Sequence, residues 1–203
     1  AERVKAAWTE LVTDDDIVII AGDISWGLKL DEAMADLDWI HELPGQKVLL
    51  RGNHDLWWCR IQHLRTLYDD MHFLQNDCYY VEALDLAICG SRGWPTPDAT
   101  TYTEHDEKMY LREQGRLRNS LSEAKKKGAS KIIMAMHYPP AKVEETEFTR
   151  VMQEYGVTQC VYGHLHGMVA WTNGIKGEHG GIDYKLVSLD YLGAKPKLIY
   201  DSE

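Results

Sequence analysis

Apolar residues fall along this chain in two patterns: stripes at helical spacing, and short unbroken runs that stop on glycine or histidine. From Arg3 to Val12, the residues Val4, Ala7, Trp8, Leu11 and Val12 share a helical face. Asp14-Asp15-Asp16 breaks that pattern. Ile17-Val18-Ile19-Ile20-Ala21 follows without alternation, as a strand buried on both faces reads. Leu30 to His41 puts Ala33, Leu37 and Ile40 on one helical face, with Pro44-Gly45 beyond its end. Val48-Leu49-Leu50 is a second buried strand. A helix is expected from Trp57 to Leu67, then paired strands at Tyr79–Val81 and Leu86–Cys89 around Asp85.

Ser91 to Thr103, with Pro95 and Pro97, has no periodicity and reads as a long loop of the kind that often carries function. Glu104 to Lys127 reads as a helix closed by Gly128. Its Arg112, Arg116 and Arg118 mixed with Glu107, Glu113 and Glu123 read as a solvated face. Lys131–Met136 and Gln159–Tyr162 are a third and a fourth buried strand, with a helix between them at Glu147–Tyr155. In the tail, Val169–Trp171, Tyr184–Leu189 and Leu198–Tyr200 look strand-like. Strands alternating with helices, then strand pairs, give a mixed α/β fold. With no repeat, low-complexity tract or linker, residues 1–203 read as one domain.

The composition, 44% hydrophobic and 27% charged over 203 residues, supports a packed core and excludes a disordered or collagen-like chain. No run approaches the ~20 apolar residues of a membrane span. With 22 basic against 32 acidic residues the net charge is −10. That argues against non-specific attraction to nucleic acid or to an anionic membrane. A phosphate-bearing partner needs local positive charge, from a few arginines or from metal ions. Cys59, Cys78, Cys89 and Cys160 form no CxxC pair, so a four-thiolate zinc site and a disulfide framework are both absent; reduced thiols and a cytoplasmic location are expected.

The four buried runs each end on residues suited to holding metal: Asp23, Asn53 with His54, His137, and His164 with His166. Ligands bind at the carboxyl ends of strands in open α/β sheets. Gly22, Gly52 and Gly163 stand directly before three of these residues, where glycine permits a sharp turn. Singly, Asp23 reads as a cap, Asn53 as a turn residue and His137 as a core histidine; four strand ends together read as a site. On a β-like segment His164 and His166 would face one side. Imidazole, carboxylate and amide oxygen without thiolate suit Mn, Fe or Zn. Two such ions ~3.5–4 Å apart clamp a phosphoryl group and activate water.

Gly22-Asp23, Gly52-Asn53-His54-Asp55, the isolated His137 and Gly163-His164-Leu165-His166 resemble, in order and spacing, four of the five motifs of the calcineurin-like metallophosphoesterase superfamily. The resemblance spans Ile17 to His166. It implies a four-layer α/β/β/α sandwich of two mixed sheets flanked by helices, around a centre of two divalent metal ions, with manganese favoured. Asp23 would bridge the ions; Asn53, His137 and His164 would complete one site, and His166 would serve the other. His54 would contact phosphate and act as general acid, with Asp55 orienting its imidazole. The family's opening Asp-x-His does not occur upstream of Gly22-Asp23, so an N-terminally incomplete domain is expected.

The expected activity is hydrolysis of a small phosphate mono- or diester by metal-bound hydroxide. The competing reading is a non-catalytic scaffold or binding protein with a degenerate metal site. Arg51 and Arg92 are candidate phosphate contacts, or surface ion pairs. Trp26, Trp57, Trp58 and Trp94 lie near the candidate site, either as core or as a substrate wall, and the loop around Trp94 is the best candidate wall.

Overall fold

The computed structural model describes residues 1–203. In chain order it comprises α1 (Glu2–Leu11), β1 (Ile17–Ile20), α2 (Leu30–His41), β2 (Gln46–Leu49), α3 (Ile61–Leu64), β3 (Met71–Phe73), β4 (Cys78–Val81), β5 (Leu86–Ser91), α4 (Glu104–Lys126), β6 (Lys131–Met136), α5 (Glu147–Glu154), β7 (Gln159–Tyr162), α6 (Met168–Trp171), β8 (Gly177–His179) and β9 (Ile182–Leu186). A three-stranded sheet runs β1-β2-β3, all parallel. A six-stranded sheet runs β4-β5-β6-β7-β9-β8, parallel in the centre with an antiparallel pair at each edge.

Alternate strand residues feed different apolar layers, because successive side chains leave a strand on opposite faces. Leu49 and Phe73 pack outward against Ala33, Leu37 and Ile40 of α2 and against Trp57. Val48 and Leu50 point inward, meeting Ile88, Ala135 and Val161 of the large sheet. On that sheet's far face, Cys89, Met134 and Tyr162 pack with Leu117 and Leu121 of α4 and Phe148 of α5. The result is the helix–sheet–sheet–helix sandwich that the strand pattern and the resemblance imply.

Several local expectations need correction. β1 is half-buried along its length, not buried on both faces, because it lies at the edge of its sheet. The expected Trp57–Leu67 helix shrinks to the single turn α3. Trp57 and Trp58 are instead core residues, and the Trp57 indole N–H donates to Asp55 at 3.0 Å. Residues 169–171 belong to the helical turn α6, and residues 198–200 form no strand. The three-residue strands β3 and β8 are too short to show a period in the sequence. α4 starts where expected, on a reciprocal cap: Thr103 Oγ1 accepts the Asp106 amide, and Asp106 accepts the Thr103 amide at 2.9 Å. Its solvated face has an exception, since Glu113 is fully buried.

Candidate metal centre

Asp23 and Asn53 hang from the turns after β1 and β2; His137 and His164 follow β6 and β7 directly or within two residues. The two small-sheet turns touch. A Cβ on Gly52 would lie 2.1 Å from Asp23 Oδ1, and one on Gly22 would lie 2.6 Å from His137 Nδ1. Only glycine fits at either position, which gives the two Gly-polar motifs their physical reason. Asp23 (φ 54°) and His164 (φ 66°) both take the left-handed conformation, which costs a non-glycine residue ~1–3 kcal/mol and concentrates at functional sites. Asp23 is held there in part by the His54 amide, which donates to its Oδ1 at 2.9 Å.

His137 shows what the cluster lacks. Its Nδ1 lies 2.8 Å from the Ala21 carbonyl, an acceptor, so the ring's proton sits on Nδ1. Burial lowers the His137 pKa and keeps the ring neutral. Nε2 therefore presents a lone pair, and it faces two oxygens: Asn53 Oδ1 at 2.7 Å and Asp23 Oδ2 at 3.4 Å. His164 Nδ1 lies 3.1 Å from the same Asn53 oxygen. Burial first, and His137 second, push the His164 pKa down to about 4, so this ring too is neutral at neutral pH. Ligand atoms of Asp23, His137 and His164 all lie within 4.8 Å of one another.

Acceptors that face each other without a shared proton, as His137 Nε2 and the Asn53 and Asp23 oxygens do, repel unless a cation lies among them. Two ligand atoms each about 2.1 Å from one ion and about 90–110° apart are separated by about 3.0–3.4 Å, close to the spacings here. Two imidazoles, one carboxylate and one amide oxygen suit a divalent transition ion. The residues present fit such an ion.

The other expected site residues are placed differently. His54 is exposed, and its ring stacks against Trp26 with centroids 4.1 Å apart. Trp26 is itself 72% exposed, so it is a surface residue at the site and not core. Asp55 does not orient the His54 ring. Its buried carboxylate accepts from the Ile24, Ser25 and Gly52 amides and the Trp57 indole at 2.7–3.1 Å, which fills both oxygens and ties the β1 turn to the β2 turn. The strand-like pairing of the last two histidines also fails. The left-handed turn at His164 sends that ring into the cluster and leaves His166 exposed, outside the group of converging ligand atoms.

His166 has a partner that the sequence did not signal. Its Nδ1 lies 3.0 Å from Asp190 Oδ1, in the segment after β9, and Asp190 also accepts the Gly167 amide at 2.8 Å. A carboxylate on Nδ1 fixes the tautomer that leaves Nε2 free as a ligand. Nothing local marks Asp190, which is 24 residues from His166.

Beside His164 lies a cavity of about 250 Å³ lined by Thr96, Asp98 and Thr100 of the long loop and by Tyr138 and Lys142. Trp94 is half-buried against the core, with its indole bonded to Asp106 at 3.0 Å, and the residues just after it form the wall.

A family model described as calcineurin-like phosphoesterase matches residues 2–168. The chain belongs to the calcineurin-like phosphoesterase family. That span contains Asp23, Asn53, His54, Asp55, His137, His164 and His166, and stops short of Asp190. A 49-residue stretch is also 49% identical to the "Gene 66 protein" of Mycobacterium phage L5, covering 24% of this chain and 23% of that protein. The match thus spans less than a quarter of that relative's length. No helix is long and apolar enough to cross a membrane.

Proposed function

We propose that the chain hydrolyses a small phosphoester at a divalent-metal centre held by Asp23, Asn53, His137 and His164, with manganese preferred. His166, set by Asp190, serves a second ion. One observation carries this reading: a neutral His137 with its proton committed to Ala21 faces the Asn53 and Asp23 oxygens. Divalent cations at such a site supply Lewis-acid charge to a phosphoryl oxygen and lower the pKa of bound water.

The chain's own groups do the rest. Asn53 contributes a neutral oxygen, so the four ligands carry one carboxylate charge, and a divalent ion held there would keep a net attraction for an anionic ester. His54 is exposed beside Asp23 and leans on Trp26, free to give a proton to the departing oxygen. Thr96, Thr100, Asp98 and Lys142 offer hydrogen bonds and charge to a polar leaving group in a cavity slightly below the ~300 Å³ lower end of small-molecule sites. Tyr138 gives that cavity an aromatic side, its ring 4.5 Å from that of His164.

The test is Mn²⁺-dependent hydrolysis of nitrophenyl phosphate and of its bis-nitrophenyl diester. Turnover should require the metal and fall ~10²–10⁴-fold in His54→Ala, more steeply for poor leaving groups, with bound metal unchanged. Equal turnover by His54→Ala across leaving groups would remove His54 from the chemistry. A folded, metal-loaded protein that hydrolyses neither ester would overturn the proposal.

A further inference from the structure

Away from the ligand cluster, three arginines surround one buried glutamate. Oε1 of Glu113, on α4, takes Arg116 at 3.0 Å, Arg112 at 3.5 Å and Arg92 at 3.8 Å. Its Oε2 accepts the Ser91 hydroxyl at 3.1 Å. Arg51 is in no ion pair, and its Nε donates to the Asp55 carbonyl at 3.2 Å. Arg51, Arg92, Arg116 and Glu113 line one small cleft, together with Gln75 and Asn76.

The charge there does not balance. Four guanidiniums face two carboxylates, Glu113 and Asp55, an excess of two positive charges in a chain whose net charge is −10. Arg92 Nε is buried and has no hydrogen-bond partner, a costly state for a charged donor. Burial above all, and the facing arginines as well, lower the Arg51 and Arg92 pKa values below that of an ordinary guanidinium. The rest of Arg92 is well held: Trp94 packs on its guanidinium at 4.8 Å, so the group is fixed and still has an unused donor.

The cleft shares backbone with the metal-ligand cluster. Arg51 lies two residues before Asn53, at most about 7 Å of extended chain. The Arg92 carbonyl accepts the His137 and Tyr138 amides at 3.2 and 3.0 Å. Planar guanidiniums bind tetrahedral oxyanions through paired N–H groups, and a dianion matches the local excess.

We propose that this arginine cleft binds a phosphate-type oxyanion, and that the anion is a second charged group on the substrate whose ester sits at the metal cluster. The second half rests on the phosphoesterase reading; the first half does not.

Calorimetric titration with inorganic phosphate in EDTA isolates the cleft, because the metal-free cluster presents the Asp23 carboxylate and does not attract anions. Phosphate should bind the wild type, bind at least tenfold more weakly to Arg51→Gln, and bind Asn53→Ala as it binds the wild type. Arg51→Gln leaves no carboxylate unpaired; Arg116→Gln, checked for an unchanged melting transition, is the second variant and should weaken binding likewise. No binding by the wild type, undiminished binding by both arginine variants, or loss in Asn53→Ala would overturn the site. With Mn²⁺ added, a sugar bisphosphate should exceed the matching monophosphate at least tenfold in kcat/KM, and Arg51→Gln should erase the difference. Phosphate binding without that preference would overturn the substrate half. Phosphate binding with no turnover of any ester would overturn the phosphoesterase reading and leave the cleft standing.

Discussion

At the scale of single residues, the two neighbours His54 and Asp55 have opposite duties although the sequence presents them as one motif. His54 is exposed and makes its polar contacts through its backbone alone, which alanine keeps, so His54→Ala should change stability by no more than about 0.5 kcal/mol. Asp55 is buried and satisfies four donors from three segments. Asp55→Ala leaves those donors unpaired and should cost at least about 3 kcal/mol. In a chain of this length that corresponds to a melting temperature lower by roughly 6–12 °C, which thermal denaturation of the metal-free protein would show. A drop of less than 2 °C would mean that water replaces the carboxylate and that its bracing role is minor. The same contrast separates two residues that the family resemblance pairs: motif adjacency says that they are close in the chain, and the hydrogen bonds decide which group each one serves.

At the scale of elements, the site was legible because it is built from strand ends. Unbroken apolar runs mark strands, and Asp23, Asn53, His137 and His164 stand where those runs stop, so the pattern itself located four of the converging groups. What escaped was what strand ends do not encode. β3 and β8 are too short for periodicity, Trp57 lies outside the helix with its indole bonded to Asp55, and Asp190 reaches His166 only through the folded tail. Glu113 fell in a helix whose mixed charges read as solvated, and burial of one glutamate among three arginines cannot be seen from spacing. The turns are the element most sensitive to change. Gly52→Ala forces a methyl group onto the Asp23 carboxylate and amide, at 2.1 and 2.2 Å, so one turn must move away from the other. That variant should lose bound metal at least tenfold in affinity while the far-ultraviolet circular dichroism stays that of the wild type; wild-type affinity would show that the turns do not need their close approach.

At the scale of the whole molecule, two sheets packed face to face bring the turns of the small sheet against those of the large one, and the centre lies on that seam. Placing neutral histidines there ties stability to pH. The His164 pKa is about 4 in the folded chain against 6.5 for an ordinary imidazole, so between these values the unfolded chain binds more protons. Metal-free protein should hold the full contribution of His164 above about pH 6.5 and lose it as the pH falls towards 4; denaturant midpoints across that range should drop for the wild type and flatten for His164→Asn. Equal slopes would mean that His164 is not held neutral. The most direct test of the account is metal content: dialyse the wild type, Asn53→Ala and His137→Ala against Mn²⁺, then against metal-free buffer, and count ions per chain by elemental analysis. Bound metal is expected in the wild type, and its loss in both variants. A wild type that retains none, or variants that retain as much as it does, would contradict a centre built on Asn53 and His137.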